Sequence, residues 1–542
     1  MADRPADGSA APSGEAAGLR PRQFALPRLA VPVSSGVLAA AAFATAAIAI
    51  FFVHWPVLSH YFFGDDFVPL ADIETRTTWG YVKNLFLLQD ETPNWRVLPG
   101  LFYLAAYKSF GLNAFPFLLA NVAVHIGTGV LIFWFVRRTT DKTWPAFLAA
   151  LFFGLTPAYV PTVGQVTAFN NVLAGFLVMA SVVALHEGII RGELPWRLLS
   201  ALLFAAAIAA NESVAVLAPV LVLVIVWREA DAARGPWDRN QLARLTLLSA
   251  PYVLIGGAAL AGFGACRCTE AADETLFSAG DHVSENFWLY LGRLLYPVGM
   301  EAPGETATAH SVAGGVAVAL AAFAIVRGPQ LARWAVVFLL LALVPYLPLE
   351  LWSAPRYTYM AAIPFAILAA LLFADAAQYG ERWRPFLPGL VALVAFGVMG
   401  LYGWQTWNQN QVIASESTRW HDLVVDLQDQ HKTLPAGSTV YVHGAAPPLN
   451  NPFLQCQVAP AVGQVLWGDA KLFTNLWQAD WIFRIRPGYP VFVLSYAGGS
   501  LEPLDIQTAK PSDAQFEELI YLPGVDPAAT GNLCRSNVPT LP

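Results

Sequence analysis

From about residue 34 to residue 404 the chain alternates long apolar runs with short polar turns, many of them carrying arginine. Runs at about 34–53, 114–136, 143–160, 166–188, 245–264, 311–326, 331–351, 358–379 and 385–404 each approach the roughly 20 residues that a helix needs to cross a bilayer. Two further apolar stretches, 97–110 and 287–299, are short and read as helices lying in the membrane interface. The block 197–227 is overlong for one span and is interrupted by Asn211-Glu212-Ser213.

Charge decides how that block is read. Arginine and lysine concentrate on the cytoplasmic side of membrane proteins. Arg137, Arg138, Lys142, Arg191, Arg197, Arg228 and Arg244 all fall on one side only if the block crosses twice. The pattern then predicts eleven transmembrane helices. Residues 1–33, rich in Ala, Pro and Gly, form a disordered cytoplasmic tail. Residues 34–404 form the membrane domain, with a long outer loop over 54–113, and residues 405–542 lie outside. That last region reads as a small extracytoplasmic α/β domain. It opens with an amphipathic helix over 416–432, with Trp420, Leu423, Val424 and Leu427 on one face, and has strands at 438–443 and 490–496. The fold class is therefore mostly α, a polytopic membrane protein with a small α/β appendage.

Composition agrees. Of the 542 residues, 56% are hydrophobic and 13% charged, about half the charged fraction of a soluble domain. The formal net charge of −7 argues against nucleic acid as a partner. With this topology Cys266, Cys268, Cys456 and Cys534 are all extracytoplasmic, where disulfides persist. Cys456 and Cys534 are the natural pair within the terminal domain. Cys266 and Cys268 could bridge, stay reduced or bind metal.

The same topology gathers a set of polar groups at the outer ends of the spans: Asp65-Asp66, Asp90-Glu91 with Asn94-Trp95-Arg96, the stretch 159–171, Asn211-Glu212, and Arg356-Tyr357. A transporter places ionisable groups within its spans and is often built from two related halves; here the span cores are nearly uncharged and no repeat is visible. The working surface is the outer interface, where lipid head groups sit. Carboxylates in a partly apolar place suit acid–base work or cation binding. His60 is close enough in sequence to join Asp65 and Asp66 around a metal, although interfacial packing also accounts for it. Asn121 and His125, one helical turn apart, suit an interhelical hydrogen bond at least as well as catalysis. Glu212 could serve only as a helix cap.

The order of these motifs resembles the C-type (GT-C) glycosyltransferases, and within them a bacterial relative of the protein O-mannosyltransferase-like branch. Phe63-Gly64-Asp65-Asp66-Phe67 is similar to the family's first-loop acidic motif, and Asn94-Trp95-Arg96-Val97-Leu98-Pro99 to the entry of its juxtamembrane helix. Phe110-Gly111-Leu112-Asn113 with Asn121 and His125, then Asn211-Glu212-Ser213, then Arg356-Tyr357-Thr358-Tyr359 complete the set. Pro161 and Asn171 stand where the family carries acidic residues, and Asn211 where it carries Lys.

The resemblance implies an integral enzyme of the bacterial plasma membrane. It would move a sugar from a polyprenyl-phosphate donor to a glycan, lipid or protein acceptor of the cell envelope, among membrane lipids. Asp65 would be the general base and Asp66 its support; Arg356, Tyr357 and Arg96 would bind the donor phosphate; Glu212, Asn171 and His125 would support them. A divalent cation, Mg or Mn, is the candidate cofactor, with Asp65, Asp66 and His60 as its ligands. The competing readings are a glycan polymerase or ligase, a catalytically altered GT-C member, and a lipid or small-molecule transporter. The geometry expected of the first reading is a separation of about 7–12 Å between Asp65 and Arg356, leaving room for sugar and phosphate.

Overall fold

A computed structural model describes residues 35–87, 96–232, 238–265, 280–297, 303–349, 354–381, 384–430, 432, 434–443, 461–468, 471–474, 481–483, 490–496, 501–504, 507–509 and 519–521. The N-terminal tail, the stretch Asp90–Trp95 and all four cysteines lie outside these residues, and the Cys456–Cys534 pairing with them.

Among the described residues eight helices are long and apolar enough to cross a membrane, and a bent pair, Thr143–Leu155 with Pro157–Gly164, makes a ninth. Two shorter apolar helices, Leu194–Ala210 and Gln330–Tyr346, complete a one-to-one match with the eleven runs read from the sequence. The interruption at Asn211 is real. Helix α9 (Leu194–Ala210) ends there, a 3₁₀ turn covers Glu212–Leu217, and α10 (Ala218–Ala232) continues. The third run bends by 42° because Pro157 and Pro161 remove amide donors at the junction.

Neighbouring helices in lipid gain little from burying apolar surface, so small residues and interhelical hydrogen bonds carry the packing. Ser181 of α8 (Phe169–Ile190) and Ser200 of α9 exchange hydrogen bonds, and Tyr252 of α11 (Arg239–Ala265) donates to Ser200 Oγ at 2.8 Å. Trp334 donates to the Val220 carbonyl at 3.0 Å. At Gly292, in the helix Asp281–Leu295, a Cβ would lie 2.1 Å from the His310 carbonyl oxygen of the helix Pro303–Arg327, so only glycine lets the two backbones meet.

The arginines that the charge pattern assigns to one side do gather. Arg138 and Arg191 both pair with Glu187, at 2.9 and 2.7 Å, Arg244 pairs with Glu229 at 3.2 Å, and Arg228 contacts His186. The polar motifs collect away from this cluster.

Two segments depart from the sequence reading. The loop after the first span is partly helical, with helices Phe67–Thr75 and Thr78–Leu87 before the helix Val97–Phe110. The last span and the amphipathic helix form one unbroken helix of 44 residues, Leu387–Gln430. Residues 404–416 change from apolar to polar but contain neither Gly nor Pro, so the composition shifts while the hydrogen-bond ladder continues. The domain boundary at 404/405 therefore falls inside a helix. Its final turns bury Trp420, Leu423, Val424 and Leu427, the four residues assigned to one face.

Beyond it, β1 (Thr439–His443) is the centre of a small sheet, parallel to both β2 (Lys471–Thr474) and the strand Val491–Ser495. Parallel neighbours need a crossover, and the helical turn 461–467 lies within the β1–β2 connection. A second, antiparallel sheet joins Trp481–Phe483, Leu519–Tyr521 and Gln507–Ala509.

Candidate active site

The acidic motif is positioned by a tight turn. Gly64 adopts φ +57°, a conformation costly for any residue with a Cβ, and opens the 3₁₀ turn Gly64–Asp66 directly before the helix Phe67–Thr75. That turn sends the two carboxylates in different directions, so the expected surface pair does not form. Asp65 is partly exposed. Asp66 is fully buried. Its Oδ1 accepts from the Thr167 amide at 2.7 Å and the Thr167 hydroxyl at 3.0 Å, and its Oδ2 accepts from the Phe63 amide at 3.2 Å.

Burial pushes the Asp66 carboxyl up to about 7, with the Thr167 and Phe63 donors pulling the other way. A carboxyl held above its unfolded value binds its proton better in the folded chain. The resulting stability is complete below pH about 4, where both states are protonated, and declines as pH rises towards 7. Thermal unfolding of the purified protein should show this decline, and Asp66→Asn should flatten it. An unchanged slope in Asp66→Asn would assign the pH dependence elsewhere.

Asp66 thus ties the acidic turn to the segment after the bent span, and the neighbouring polar residues grip the same segment. Asn121 donates to the carbonyls of Val163 at 3.1 Å and Gln165 at 2.8 Å. Tyr103 donates to those of Val166 and Thr167, both at 3.1 Å, and Thr358 to that of Ala158 at 2.9 Å. The span is broken into short turns that end at Gly164, and side chains from three other segments take up carbonyls that these turns leave open. His125 lies deeper, with Nδ1 3.1 Å from the Tyr359 hydroxyl and its ring against those of His54, Phe153 and Tyr159.

The distant motif meets the first one directly. Arg356 Nη1 is 3.2 Å from Asp65 Oδ2, across 291 residues of sequence. The expected gap of about 7–12 Å is therefore corrected to an ion pair. Both groups leave water only partly, their side chains 25% and 31% exposed, and each lowers the other's cost of sitting against an apolar wall. The Arg356 guanidinium also lies over the Tyr357 ring at 5.6 Å, and Tyr357 stacks on Tyr346 at 4.7 Å. Tyr290, in the helix Asp281–Leu295 that was read as interfacial, approaches Tyr357 edge-on.

From Tyr346 a polar chain runs inward. Its hydroxyl is 2.9 Å from Ser213 Oγ, Ser213 bonds Asn211 Oδ1 at 2.7 Å, and Asn211 Nδ2 donates to Asn171 Oδ1 at 2.9 Å. Arg96, at the start of the helix Val97–Phe110, stands 3.6 Å from Glu212. Five stretches scattered over nearly 300 residues thus form one continuous constellation. Thr167 lies in the stretch 159–171 and Tyr290 in the run 287–299, neither singled out by itself, and Tyr346, inside the run 331–351, was missed.

The proposed metal set does not converge. His60 Nδ1 lies 3.1 Å from the Gly164 carbonyl and Nε2 2.9 Å from the Asn410 carbonyl, so the ring is wedged between two backbone oxygens and donates its single N–H to one of them. Both Asp66 oxygens are taken by donors, and Asp65 is paired with Arg356. Among the described residues no group of three or more His, Cys, Asp or Glu side chains gathers. His60 acts as a clamp between the bent segment and the long helix.

No family model and no curated protein matches the sequence. Among solved structures the chain is similar to ArnT from Cupriavidus metallidurans bound to undecaprenyl phosphate, at 11% identity and TM-score 0.44, covering 90% of this chain and 98% of that one. It is also similar to the oligosaccharyltransferase of Archaeoglobus fulgidus in the apo form, at 10% identity and TM-score 0.46, covering 82% and 65%. AglB of the same organism, in complex with an inhibitory peptide and a dolichol-phosphate, gives 10% identity and TM-score 0.42 over the same shares. The resemblance to the O-mannosyltransferase-like branch rests on the sequence motifs alone.

Proposed function

We propose that the chain is a membrane glycosyltransferase that takes a sugar from a polyprenyl-phosphate donor, with Asp65 as general base and Arg356 as the group that receives the donor phosphate. The observation that carries this reading is the Asp65–Arg356 pair, a base and a phosphate-binding cation brought together at the end of a bundle of apolar helices.

In this reading the pair is the resting arrangement. A lipid phosphate offers the guanidinium two oxygens in the fork geometry that suits it better than one carboxylate oxygen does. As the phosphate takes Arg356, the Asp65 carboxylate is released from the guanidinium and can meet the acceptor hydroxyl. The acceptor hydroxyl then bonds to the anomeric carbon while the bond from that carbon to the phosphate oxygen breaks. The hydroxyl proton passes to Asp65, and the departing electron pair stays on the phosphate, against Arg356. The cationic charge that a divalent ion would supply comes here from the guanidinium. Asp66 holds the turn that aims Asp65 and takes no proton from the acceptor. The donor phosphate faces the outer side in this scheme, with the arginine cluster around Glu187 in the cytoplasm.

The reading has an unusual consequence for binding. Asp65 and the phosphate compete for Arg356, so Asp65→Asn removes the competitor. A partly exposed ion pair contributes about 0.2–1 kcal/mol, so the purified variant should bind undecaprenyl phosphate more tightly than wild type, by a factor of up to about five. Binding that weakened instead would mean that Asp65 assists the phosphate, and the division of roles would be wrong.

A further inference from the structure

Next to the first charge pair stands a second that is incomplete. Arg96 Nη2 and Glu212 Oε1 are 3.6 Å apart, longer than a hydrogen bond. The side chains are partly exposed, yet Arg96 Nε and Glu212 Oε2 are shielded from solvent, and among the described residues neither has a hydrogen-bond partner. Buried donors and acceptors are nearly always satisfied, so a pair with one of each left over points to a missing third group. Capping does not explain Glu212. Asn211 caps this turn, its Oδ1 accepting from the Ser213 amide at 3.1 Å.

The surroundings narrow the chemistry. The adjoining groups are neutral hydrogen-bonding ones: the amides of Asn211 and Asn171 and the hydroxyls of Ser213 and Tyr346. Glu212 would repel a phosphate and Arg96 would repel an ammonium group, whereas the pair together is neutral and suits an uncharged ligand. A hydroxyl both donates and accepts. Two adjacent hydroxyls can therefore satisfy both orphaned atoms at once. Tyr346, beside this pair, stacks on Tyr357, which neighbours Arg356, so the second pair lies one aromatic step from the phosphate position.

We infer that Arg96 and Glu212 form the subsite for the donor sugar, gripping a vicinal diol with one hydroxyl donating to Glu212 Oε2 and the next accepting from Arg96 Nε–H. This rests on the glycosyltransferase reading and takes Arg96 away from the phosphate. The two residues then select by hydroxyl configuration.

The test measures binding of bare undecaprenyl phosphate and of undecaprenyl-phosphate mannose, glucose and galactose to the full-length protein in nanodiscs. Wild type should prefer one glycosylated lipid over the bare one. Glu212→Gln should weaken that preferred lipid about tenfold or more, the loss of a hydrogen bond to a charged group, and leave bare undecaprenyl phosphate within twofold. Because Glu212→Gln could disturb the turn, deoxy analogues of the preferred sugar lipid are also offered to wild type. Two adjacent deoxy positions should each lose about tenfold. Equal losses for bare and glycosylated lipid in Glu212→Gln, or no sensitivity to any deoxy position, would overturn the subsite while leaving the phosphate reading intact. Failure of wild type to bind any of the four lipids would overturn the glycosyltransferase reading and the subsite with it.

Discussion

Asp65→Asn should lower turnover by about 10²–10⁴-fold, the contribution expected of a positioned general base, measured as undecaprenyl phosphate released from an undecaprenyl-phosphate sugar by acceptor-bearing membranes. The substitution keeps the shape of the side chain, so the turn at Gly64 should persist, while the hold on Arg356 weakens with the lost charge. It removes only the charge and the proton site. The loss should appear in kcat, because the phosphate contact is untouched or strengthened. Asp66→Asn gives the contrast. That carboxylate is sealed between Thr167 and Phe63, so its replacement should reduce folding yield and pH response before it touches the chemical step. Near-normal transfer by Asp65→Asn together with a collapse of transfer in well-folded Asp66→Asn would reverse the two assignments.

The second large effect concerns Arg356. Arg356→Ala deletes the cation that receives the donor phosphate and stabilises the charge developing on it. A hydrogen bond to a charged group contributes about 1.5–3 kcal/mol, so undecaprenyl phosphate should bind about 10–10²-fold more weakly. Turnover should fall as well, because the contact strengthens in the transition state. Arg356→Lys restores the charge without the fork and should recover only part of the binding. The two variants at this ion pair thus separate cleanly: Asp65→Asn binds at least as well and reacts poorly, while Arg356→Ala does both badly. Unchanged binding in Arg356→Ala would remove it from the phosphate site.

The lengths of the apolar runs carried the set of long helices, because an apolar run of bilayer length has few other fates. They located the Asn211 interruption and the shorter helix Val97–Phe110 for the same reason. What they could not carry was the direction of adjacent side chains. Asp65 and Asp66 differ by one position, and the fate of each depends on a partner about 100 or 291 residues away. The role of Asn121 was equally hidden. A polar residue in a span announces a hydrogen bond, but its partners here are carbonyls left open where the short helix Val160–Gly164 ends, visible only once the bend is in place. The long helix was misread because a shift from apolar to polar composition looks like an ending when the backbone simply continues.

That unbroken helix acts as a strut. At 1.5 Å per residue, Leu387–Gln430 is about 66 Å long, and it is held partway along. Thr406 donates to the Leu155 carbonyl at 2.7 Å, while the Asn410 carbonyl meets His60 and its amide meets the Val53 carbonyl. Those contacts work as a fulcrum, with the membrane turns on one arm and the terminal sheet on the other. A stiff rod pinned there cannot swing at one end alone. Leverage on the sheet arrives at His60 and, through its other ring nitrogen, at Gly164, the segment to which Asp66 is also anchored.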